Sequence, residues 1–248
     1  MTEEAPKFWR RTVSYVRRTE RLTEAQQRAW DHRRDAYLVE VPRGGSTLSV
    51  DPRWVLDPAA VFGRRAPLVV EIGTGRGENV VAAAAREPGC DFLGVEVYTP
   101  GVAQAMVRAD KAAGEAGQGG GLGNLRLLQV DAALLLETSL APGSVDELWI
   151  FFSDPWPKKK HHKRRLVSAE FLLLCARVLK PGGVLRLATD WENYAEQMLE
   201  LGNACPALRN EGGDGAFSPR FEGRVLTAFE QRGINAGRAI HDLTYRRV

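Results

Sequence analysis

The chain has 248 residues, 44% of them hydrophobic and 26% charged, an ordinary composition for one α/β domain with extensions. Its 34 basic and 31 acidic residues leave a formal net charge of only +3, which excludes a uniformly basic coat and leaves local clusters to attract a polyanion. The cysteines Cys90, Cys175 and Cys205 are scattered without a C-x-x-C pair, which argues against a disulfide framework and against a zinc site.

The first 45 residues are polar and basic, and we expect them to form a partly flexible extension outside a single domain over residues 46–248. Within the extension, the sequence predicts a helix over residues 23–37. A sparse basic cluster precedes the helix, and its members are Lys7, Arg10, Arg11, Arg17 and Arg18. Charges stand where a signal peptide needs an apolar core, and no apolar run reaches membrane-spanning length. We therefore expect a soluble, cytoplasmic protein with reduced thiols and no membrane partner.

From about residue 65, short apolar runs alternate with longer helical stretches. The predicted strands cover residues 67–72, 92–97, 125–130, 145–152, 184–189 and 242–247. The predicted helices cover residues 79–86, 102–113, 168–179 and 191–201, with a turn at residues 181–183 before the fifth strand. This alternation predicts a parallel sheet with helices on both faces and right-handed crossovers. The glycine-rich residues 114–123 precede a strand and lack the Lys-Ser/Thr pair of a P-loop, which favours a surface loop.

A glycine motif, E-I-G-T-G-R-G-E at residues 71–78, joins the first strand to its helix. Gly73 and Gly75 allow a tight turn and a close approach of the backbone to a ligand. A dinucleotide fingerprint would need glycine at the position of Glu78, whose carboxylate would repel a pyrophosphate. The spacing resembles the first motif of Rossmann-like S-adenosylmethionine methyltransferases, whose cationic cofactor suits carboxylates. Taken alone, the motif also fits a simple tight turn.

Acidic residues stand at the ends of the first four predicted strands: Glu71, Glu96, Asp131 and Asp154. A single acid in such a place is more often a helix cap than a ligand residue. Four of them are expected to converge on one crevice, because ligands of parallel sheets bind beyond the carboxyl ends of the strands.

A strongly basic segment follows Asp154. Residues 151–165 read F-F-S-D-P-W-P-K-K-K-H-H-K-R-R, and six of the last eight are Lys or Arg. A charge run alone would indicate a solvated face, but its adjacency to Asp154 indicates phosphate contacts close to the chemistry. His161 and His162 lack a third candidate ligand, so we expect no metal. Trp156, between two prolines, either packs rigidly or stacks on a base.

Two further acids come late in the chain: Asp190 at the end of the fifth predicted strand and Glu230 before the last one. Asp190 ends the fifth strand, where it either caps the next helix or accepts hydrogen bonds from a substrate. Glu230 is either a surface charge or a second acceptor. A guanine edge carries donors at N1 and N2, for which carboxylates are natural acceptors.

The motifs together resemble one family. D-P-W-P-K-K from residue 154 and H-H-K-R-R from residue 161 look like the signature of bacterial tRNA (guanine-N7-)-methyltransferases. The match extends to residues 71–73, 94–96, 131–132, 189–190 and T-x-F-E-x-R-G at 227–233, and covers roughly residues 10–248 in order. The sequence departs from the family pattern at two positions. Ser153 stands where proline is usual, which slightly loosens the loop. Lys160 stands where arginine is usual, which keeps the charge but loses the bidentate phosphate geometry.

This resemblance implies a Rossmann-like methyltransferase fold, with a mostly parallel seven-stranded sheet and helices on both faces. It implies an enzyme that uses S-adenosyl-L-methionine to form 7-methylguanosine at guanosine 46 of the tRNA variable loop. Residues 46–248 would be the methyltransferase domain, acting as a monomer or a homodimer, with no accessory subunit required.

The resemblance also implies roles for individual residues. Asp154 would be catalytic. The methyl-donor site would comprise Glu71, Gly73, Gly75, Glu96, Asp131, Ala132 and Asp154. The target nucleoside would contact Lys158, Asp190, Thr227, Phe229 and Glu230. The RNA would contact Lys160, His161, His162, Lys163, Arg164 and Arg165.

Three alternative functions stay open at this point. An N6-adenine methyltransferase carries an Asp/Asn-Pro-Pro-aromatic loop, which Trp156 matches only in part. An NAD-dependent oxidoreductase is disfavoured by Glu78 and by the basic segment. A non-catalytic RNA-binding protein would need no acid-lined crevice.

Overall fold

The computed structural model describes residues 21–117, 120–213 and 215–248. The basic cluster predicted at residues 7–18 and residues 118–119 of the glycine-rich stretch lie outside the described residues. The strands are β1 (Leu68–Ile72), β2 (Asp91–Val95), β3 (Leu125–Leu128), β4 (Val145–Phe151), β5 (Leu179–Thr189), β6 (Leu208–Asn210) and β7 (His241–Arg247). The α-helices are α1 (Glu24–Tyr37), α2 (Pro58–Phe62), α3 (Glu78–Arg86), α4 (Thr99–Glu115), α5 (Ala132–Leu134), α6 (Ala169–Val178), α7 (Glu192–Asn203) and α8 (Ala228–Asn235).

One seven-stranded sheet has the order β3-β2-β1-β4-β5-β7-β6. Pairing is parallel from β3 through β5, and β7 runs antiparallel to both of its neighbours. The chain moves outward from β1 to β3 and then returns to place β4 on the other side of β1. The point where the strand order reverses therefore lies between β1 and β4, where sheets of this kind bind ligands.

Alternate side chains of each central strand enter two separate hydrophobic cores. Val70 of β1 and Ile150 of β4 pack on one face with α6 and α7. Val69 of β1 and Trp149 of β4 pack on the other face with α1, α3 and α4. Helices thus cover both faces, which confirms the predicted fold class.

The predicted strands and helices from residue 67 onward all form, with shifts of a few residues at their ends. The turn predicted at residues 181–183 forms as a bulge within β5, where Gly182 has a φ angle of +77°. Val145 pairs with Leu179 and Glu147 pairs with Val184, so residues 180–183 bulge opposite Asp146. The sequence did not indicate α2, β6 or α8, which are all short.

Helix α1 forms where it is predicted, with a capping box in which Thr23 and Gln26 exchange hydrogen bonds. It packs along α4 through the ion pair between Arg33 and Asp110, 2.5 Å long, and it buries Tyr37. Beyond the helix, Val39 N donates to Leu127 O of β3 at 2.9 Å. Residues 24–39 therefore contact the sheet and its helices, while the domain boundary at residue 45 stays a prediction.

A search of the described residues finds no helix with the length and apolarity needed to cross a membrane.

Candidate functional site

The carboxyl ends of β1, β2, β3 and β4 lie side by side. Ile72 pairs with Val95 and with Ile150, and Val95 pairs with Leu128, so the loops that leave these strands begin at the same edge. The predicted acids of this edge thereby come into one neighbourhood, around the point where the strand order reverses.

The loop after β1 has a left-handed backbone. The φ angles of Gly73 and Gly75 are +75° and +55°, a conformation that glycine adopts without strain. Between them, the buried hydroxyl of Thr74 has no hydrogen-bond partner within the described part of the chain. A buried polar atom without a partner is uncommon, and here it marks the glycine loop as a place where a ligand fits.

Glu71, the last acid of β1, is only 4% exposed. Burial raises the pKa of its carboxyl, a hydrogen bond from the Asn79 amide opposes the shift, and the nearby Glu96 adds to it, with a resulting pKa of about 7. That hydrogen bond joins Nδ2 of Asn79 to Oε2 of Glu71 over 3.2 Å. A cation placed beside Glu71 would favour its ionised form.

Glu96 follows β2 directly and braces the glycine loop. Its Oε2 accepts from Gly75 N at 2.7 Å, and its Oε1 accepts from Val97 N and Tyr98 N at 2.7 and 2.9 Å. The carboxylate therefore links the loops that leave β1 and β2.

Asp131, just beyond β3, caps α5 through Oδ1, which accepts from Ala133 N at 2.8 Å and from Leu134 N at 3.2 Å. Ala132 is the first residue of that helix. The capping function that a lone acid suggests is therefore present, and contact of Asp131 and Ala132 with a methyl donor stays a prediction.

Asp154 lies in the loop after β4, between two residues with positive φ. The φ angles of Phe152 and Trp156 are +54° and +45°. Such conformations of bulky residues cost roughly 1–3 kcal/mol each and concentrate at functional sites. Phe152 N still donates to Ala188 O at 2.8 Å, so the loop leaves the sheet only after this residue.

The basic segment forms a 3-10 helix, Lys159–Arg164. Lys158, Lys159, Lys160 and Lys163 are exposed, as contact with a phosphate backbone requires. Desolvation lowers the pKa of His161, and repulsion from Arg164 and the neighbouring lysines lowers it further. His161 therefore adds little positive charge at neutral pH.

Arg165 lies in a different environment from the one expected of an RNA contact. It is 5% exposed, and its guanidinium bonds to Pro155, His162, Asn193 and Gln197. The prediction that it meets phosphate does not fit this burial.

Trp156 packs within the basic segment. Its ring meets His161 edge-on, with ring centroids 5.8 Å apart, and the guanidinium of Arg164 lies 5.0 Å from the centre of its ring. These contacts correspond to the packing alternative, and stacking on a base stays a prediction.

Helix α8 carries the predicted substrate segment. Thr227 caps it by accepting from Glu230 N at 3.2 Å, and Phe229 is 41% exposed beneath the guanidinium of Arg232. Asp190 does not cap α7: its Oδ2 pairs with Arg238 at 2.7 Å. A Cβ on Gly233 would stand 2.8 Å from Oδ2 of Asp190, so α8 passes directly beside this carboxylate.

Glu230 is 1% exposed and its carboxylate is already paired. Arg220 contacts it at 2.9 Å and Arg224 at 2.9 Å, and Arg224 also pairs with Asp242. Burial alone would raise the pKa of Glu230, but the hydrogen bonds from both arginines outweigh it and lower the pKa. The expected acceptor for guanine is therefore engaged with two cations.

A cavity of about 440 Å³ opens beside this network. Its lining includes Arg220, Arg224, Leu226, Glu230 and Asp242. Arg224 also lies 5.4 Å from the ring centre of Phe152, two residues before Asp154. The cavity, the network and the end of β4 are thus neighbours.

Two residues at the start of α3 join the glycine loop to the substrate segment. Oδ1 of Asn79 accepts from Val225 N at 3.1 Å, and Oε2 of Glu78 accepts from Ala228 N at 2.8 Å. Asn79, Arg220 and Arg224 were not predicted, because nothing in the local sequence shows that these polar side chains are paired with buried carboxylates. A buried Arg–carboxylate network has no local signal.

Solved structures share this fold at low sequence identity. A 16S rRNA (adenine(1408)-N(1))-methyltransferase from Catenulisporales acidiphilia superposes with a TM-score of 0.54 at 21% identity, over 84% of this chain and 96% of the other. The aminoglycoside resistance methyltransferase NpmB1 gives a TM-score of 0.54 at 18% identity, over 83% of this chain and 98% of the other. The likeness establishes the fold.

Residues 65–243 match the family model described as "Putative methyltransferase", which assigns the chain to the methyltransferases. Curated relatives called tRNA (guanine-N(7)-)-methyltransferase include a Leifsonia xyli protein, 48% identical over 95% of this chain and 96% of its own length. A Cutibacterium acnes relative is 46% identical over 96% of this chain and 84% of its own length. A Methylococcus capsulatus relative is 45% identical over 96% of this chain and 95% of its own length. The chain belongs to the tRNA (guanine-N(7)-)-methyltransferase family.

Proposed function

We propose that this protein transfers a methyl group from S-adenosyl-L-methionine to N7 of guanosine 46 in tRNA, forming 7-methylguanosine. The observation that carries the proposal is the position of Asp154. It follows β4, whose neighbour β1 leads into the loop that carries Gly73 and Gly75, and it precedes the basic 3-10 helix Lys159–Arg164 in the chain. The tRNA (guanine-N(7)-)-methyltransferases that resemble the chain over most of its length support the same reaction.

The residues at this edge fit a cationic methyl donor. Glu71 and Glu96 supply carboxylates, and the partnerless hydroxyl of Thr74 lies in the loop between them. Gly73 and Gly75 leave open space where side chains would project. When bound, S-adenosylmethionine supplies an electrophilic methyl group on a sulfonium that these carboxylates would hold, with Asp131, Ala132 and Asp154 completing the site.

Guanine N7 in a nucleoside carries a lone pair and no proton, so the chain needs no general base. The new bond joins N7 to the methyl carbon as the carbon–sulfur bond breaks and its electrons go to sulfur. The residues must therefore align the reactants, which supplies roughly 7–11 kcal/mol in favourable intramolecular models. The product base is cationic, and in this proposal the Asp154 carboxylate stabilises the charge that develops on it.

The target nucleoside is expected to lie between Asp154 and α8. Phe229 offers an exposed ring on α8, Asp190 lies beside the helix, and Lys158 begins the basic segment. For Glu230 to accept from a guanine edge, Arg220 or Arg224 must first give up a hydrogen bond to it. Both carboxylates are paired, but the side chain of Asp190 is 19% exposed and that of Glu230 only 1%, so Asp190 is the more accessible of the two.

The test is nucleoside mass spectrometry on a tRNA transcript incubated with the purified chain and methyl-labelled S-adenosylmethionine. The matched control is the same transcript with guanosine 46 replaced by adenosine. We expect label in 7-methylguanosine with the first transcript and none with the second. Label in N6-methyladenosine, or in 7-methylguanosine from both transcripts, would overturn the proposal.

Three narrower proposals accompany this function, and the same assay tests the last two of them. We propose that the chain acts in the cytoplasm, where its tRNA substrate is found, without an accessory subunit and without a metal. Turnover by the purified chain alone, unchanged by EDTA, is the expected result.

A further inference from the structure

Arg165 ends the basic segment but faces inward. Its Nε donates to Pro155 O at 2.8 Å. Nη1 contacts Asn193 O at 3.4 Å and Gln197 Oε1 at 2.6 Å, while Nη2 contacts Asn193 Oδ1 at 3.0 Å and His162 Nε2 at 3.1 Å. These contacts occupy every N–H of the guanidinium, so no donor remains for a phosphate.

The contact with Pro155 matters most, because Pro155 follows Asp154 directly. On the other side of Asp154, the hydroxyl of Ser153 donates to the hydroxyl of Tyr194 at 3.3 Å. Tyr194 is fully buried, and the guanidinium of Arg165 lies 4.7 Å from the centre of its ring. Both neighbours of Asp154 are therefore held, directly or through Arg165, by α7.

A backbone with positive φ at bulky residues persists only where its surroundings hold it in place. Phe152 and Trp156 adopt that backbone on either side of Ser153, Asp154 and Pro155. Arg165 and Tyr194 are two side chains that bond to this interval from outside it.

We propose that Arg165 is a positioning residue for Asp154 and not an RNA contact: it fixes the carbonyl of Pro155, the residue after Asp154, to α7 and so aims the carboxylate. The inference rests on the proposed function, because Asp154 must face the reacting base for its aim to matter. The inference gives Arg165 a different role from that of the preceding arginine, Arg164. The guanidinium of Arg164 lies against the ring of Trp156.

The adjacent arginines give a matched pair of variants. Arg165→Lys keeps the charge but cannot make the same set of bonds, and we expect kcat to fall by about 100-fold, the scale of a small misplacement of a catalytic group. The Kd for tRNA and its salt dependence are expected to stay at the wild-type values. Arg164→Lys is the comparison, and any change that it causes is expected in the Kd for tRNA, because Arg164 is the proposed RNA contact of the pair.

Neutral variants separate binding from positioning. Arg164→Gln is expected to weaken tRNA binding and to lower the slope of log K against log salt by about 0.7–0.9, the contribution of one phosphate contact. Arg165→Gln is expected to leave that slope unchanged. Wild-type kcat in Arg165→Lys, or a reduced slope in Arg165→Gln, would overturn the inference.

Thermal unfolding and calorimetric binding of S-adenosylmethionine check that the variants are folded. A merely structural role would lower the melting temperature without changing the kcat of the folded protein. If the Arg165 variants do not fold, Gln197→Ala removes one partner of Arg165 away from the loop: reduced kcat with unchanged tRNA Kd supports the inference, and unchanged kcat overturns it. If the wild-type chain forms no 7-methylguanosine, the proposed function itself fails, and the role of Arg165 with it.

Discussion

Asp154 lies on a backbone segment whose conformation is energetically unfavourable. Its loop begins and ends at residues with left-handed conformations, Phe152 and Trp156. The cost is consistent with a carboxylate whose direction matters more than the stability of its loop. An acid that merely capped a helix would need no such loop.

We predict that Asp154→Ala lowers kcat by about 10²–10³-fold, the effect of removing one preorganised electrostatic contact from an active site. Asp154→Asn keeps the shape without the charge, so a comparable loss is expected if charge stabilisation is its role. Single-turnover methyl transfer measures the rate, and filter binding measures tRNA affinity, which is expected to persist. Near-normal turnover in both variants would contradict the role of Asp154.

Glu71 links the methyl-donor site to pH. Its folded-state pKa of about 7 lies above the ordinary value of 4.5, so between these values the native state holds a proton that the unfolded state has lost. Stability from this group is therefore fully present below about pH 4.5 and is lost as the pH rises to about 7. A cationic ligand favours the ionised carboxylate and reverses this preference.

Binding of S-adenosylmethionine is accordingly expected to release a proton near neutral pH. The Kd of S-adenosylmethionine is expected to fall as the pH rises from about 6 to about 8, because a smaller fraction of Glu71 is protonated at the higher pH. Calorimetry in buffers of different ionisation enthalpy measures the release. Glu71→Gln is the control, and a proton release that survives in it would assign the effect to another group.

At the scale of elements, the side chains of the basic segment have two different environments, solvent around the 3-10 helix Lys159–Arg164 and contact with helix α7. The exposed lysines face solvent, while Arg165 joins the segment to α7. The sequence predicted the position of the charges, since composition is local. It could not predict that Arg165 is buried, because its partners Asn193 and Gln197 come from a helix about thirty residues further along.

The exposed face of the segment is expected to set the salt dependence of tRNA binding. Replacing Lys160 and Lys163 together by alanine should reduce the slope of log K against log salt by about 1.4–1.8, the contribution of two phosphate contacts. Lys111→Ala is the control: this exposed lysine of α4, paired with Glu115, lies outside the basic segment, and its loss should leave the slope unchanged. A slope that both proteins share would mean that the segment does not meet the RNA backbone.

For the whole molecule, the buried ions around Arg224 join the last third of the chain to the sheet. Arg224 is fully buried between Glu230 of α8 and Asp242 of β7. The sequence predicted the strands, the helices and the acidic edge because their signals are periodic or positional. The ion network escaped prediction because charged residues in α8 resemble ordinary surface charge until their burial is known.

Arg224→Ala is expected to lower the free energy of unfolding by about 3–5 kcal/mol, because two buried carboxylates lose their shared cation. Arg209→Ala removes an exposed pair with Glu211 and is expected to cost less than about 1 kcal/mol. Urea unfolding at neutral pH measures both. Equal midpoints for the two variants would show that the buried network adds nothing to stability.

The hydrogen bond from Val39 to Leu127 has a consequence for the aggregation of this protein. Strand β3 is an outer strand of the sheet, and an outer strand with free backbone groups is a template on which a second chain can add. Val39 takes one of those groups, and the opposite outer strand, β6, is only three residues long. A chain cut at residue 45 would lose the first of these guards, and aggregation through β3 is the expected result.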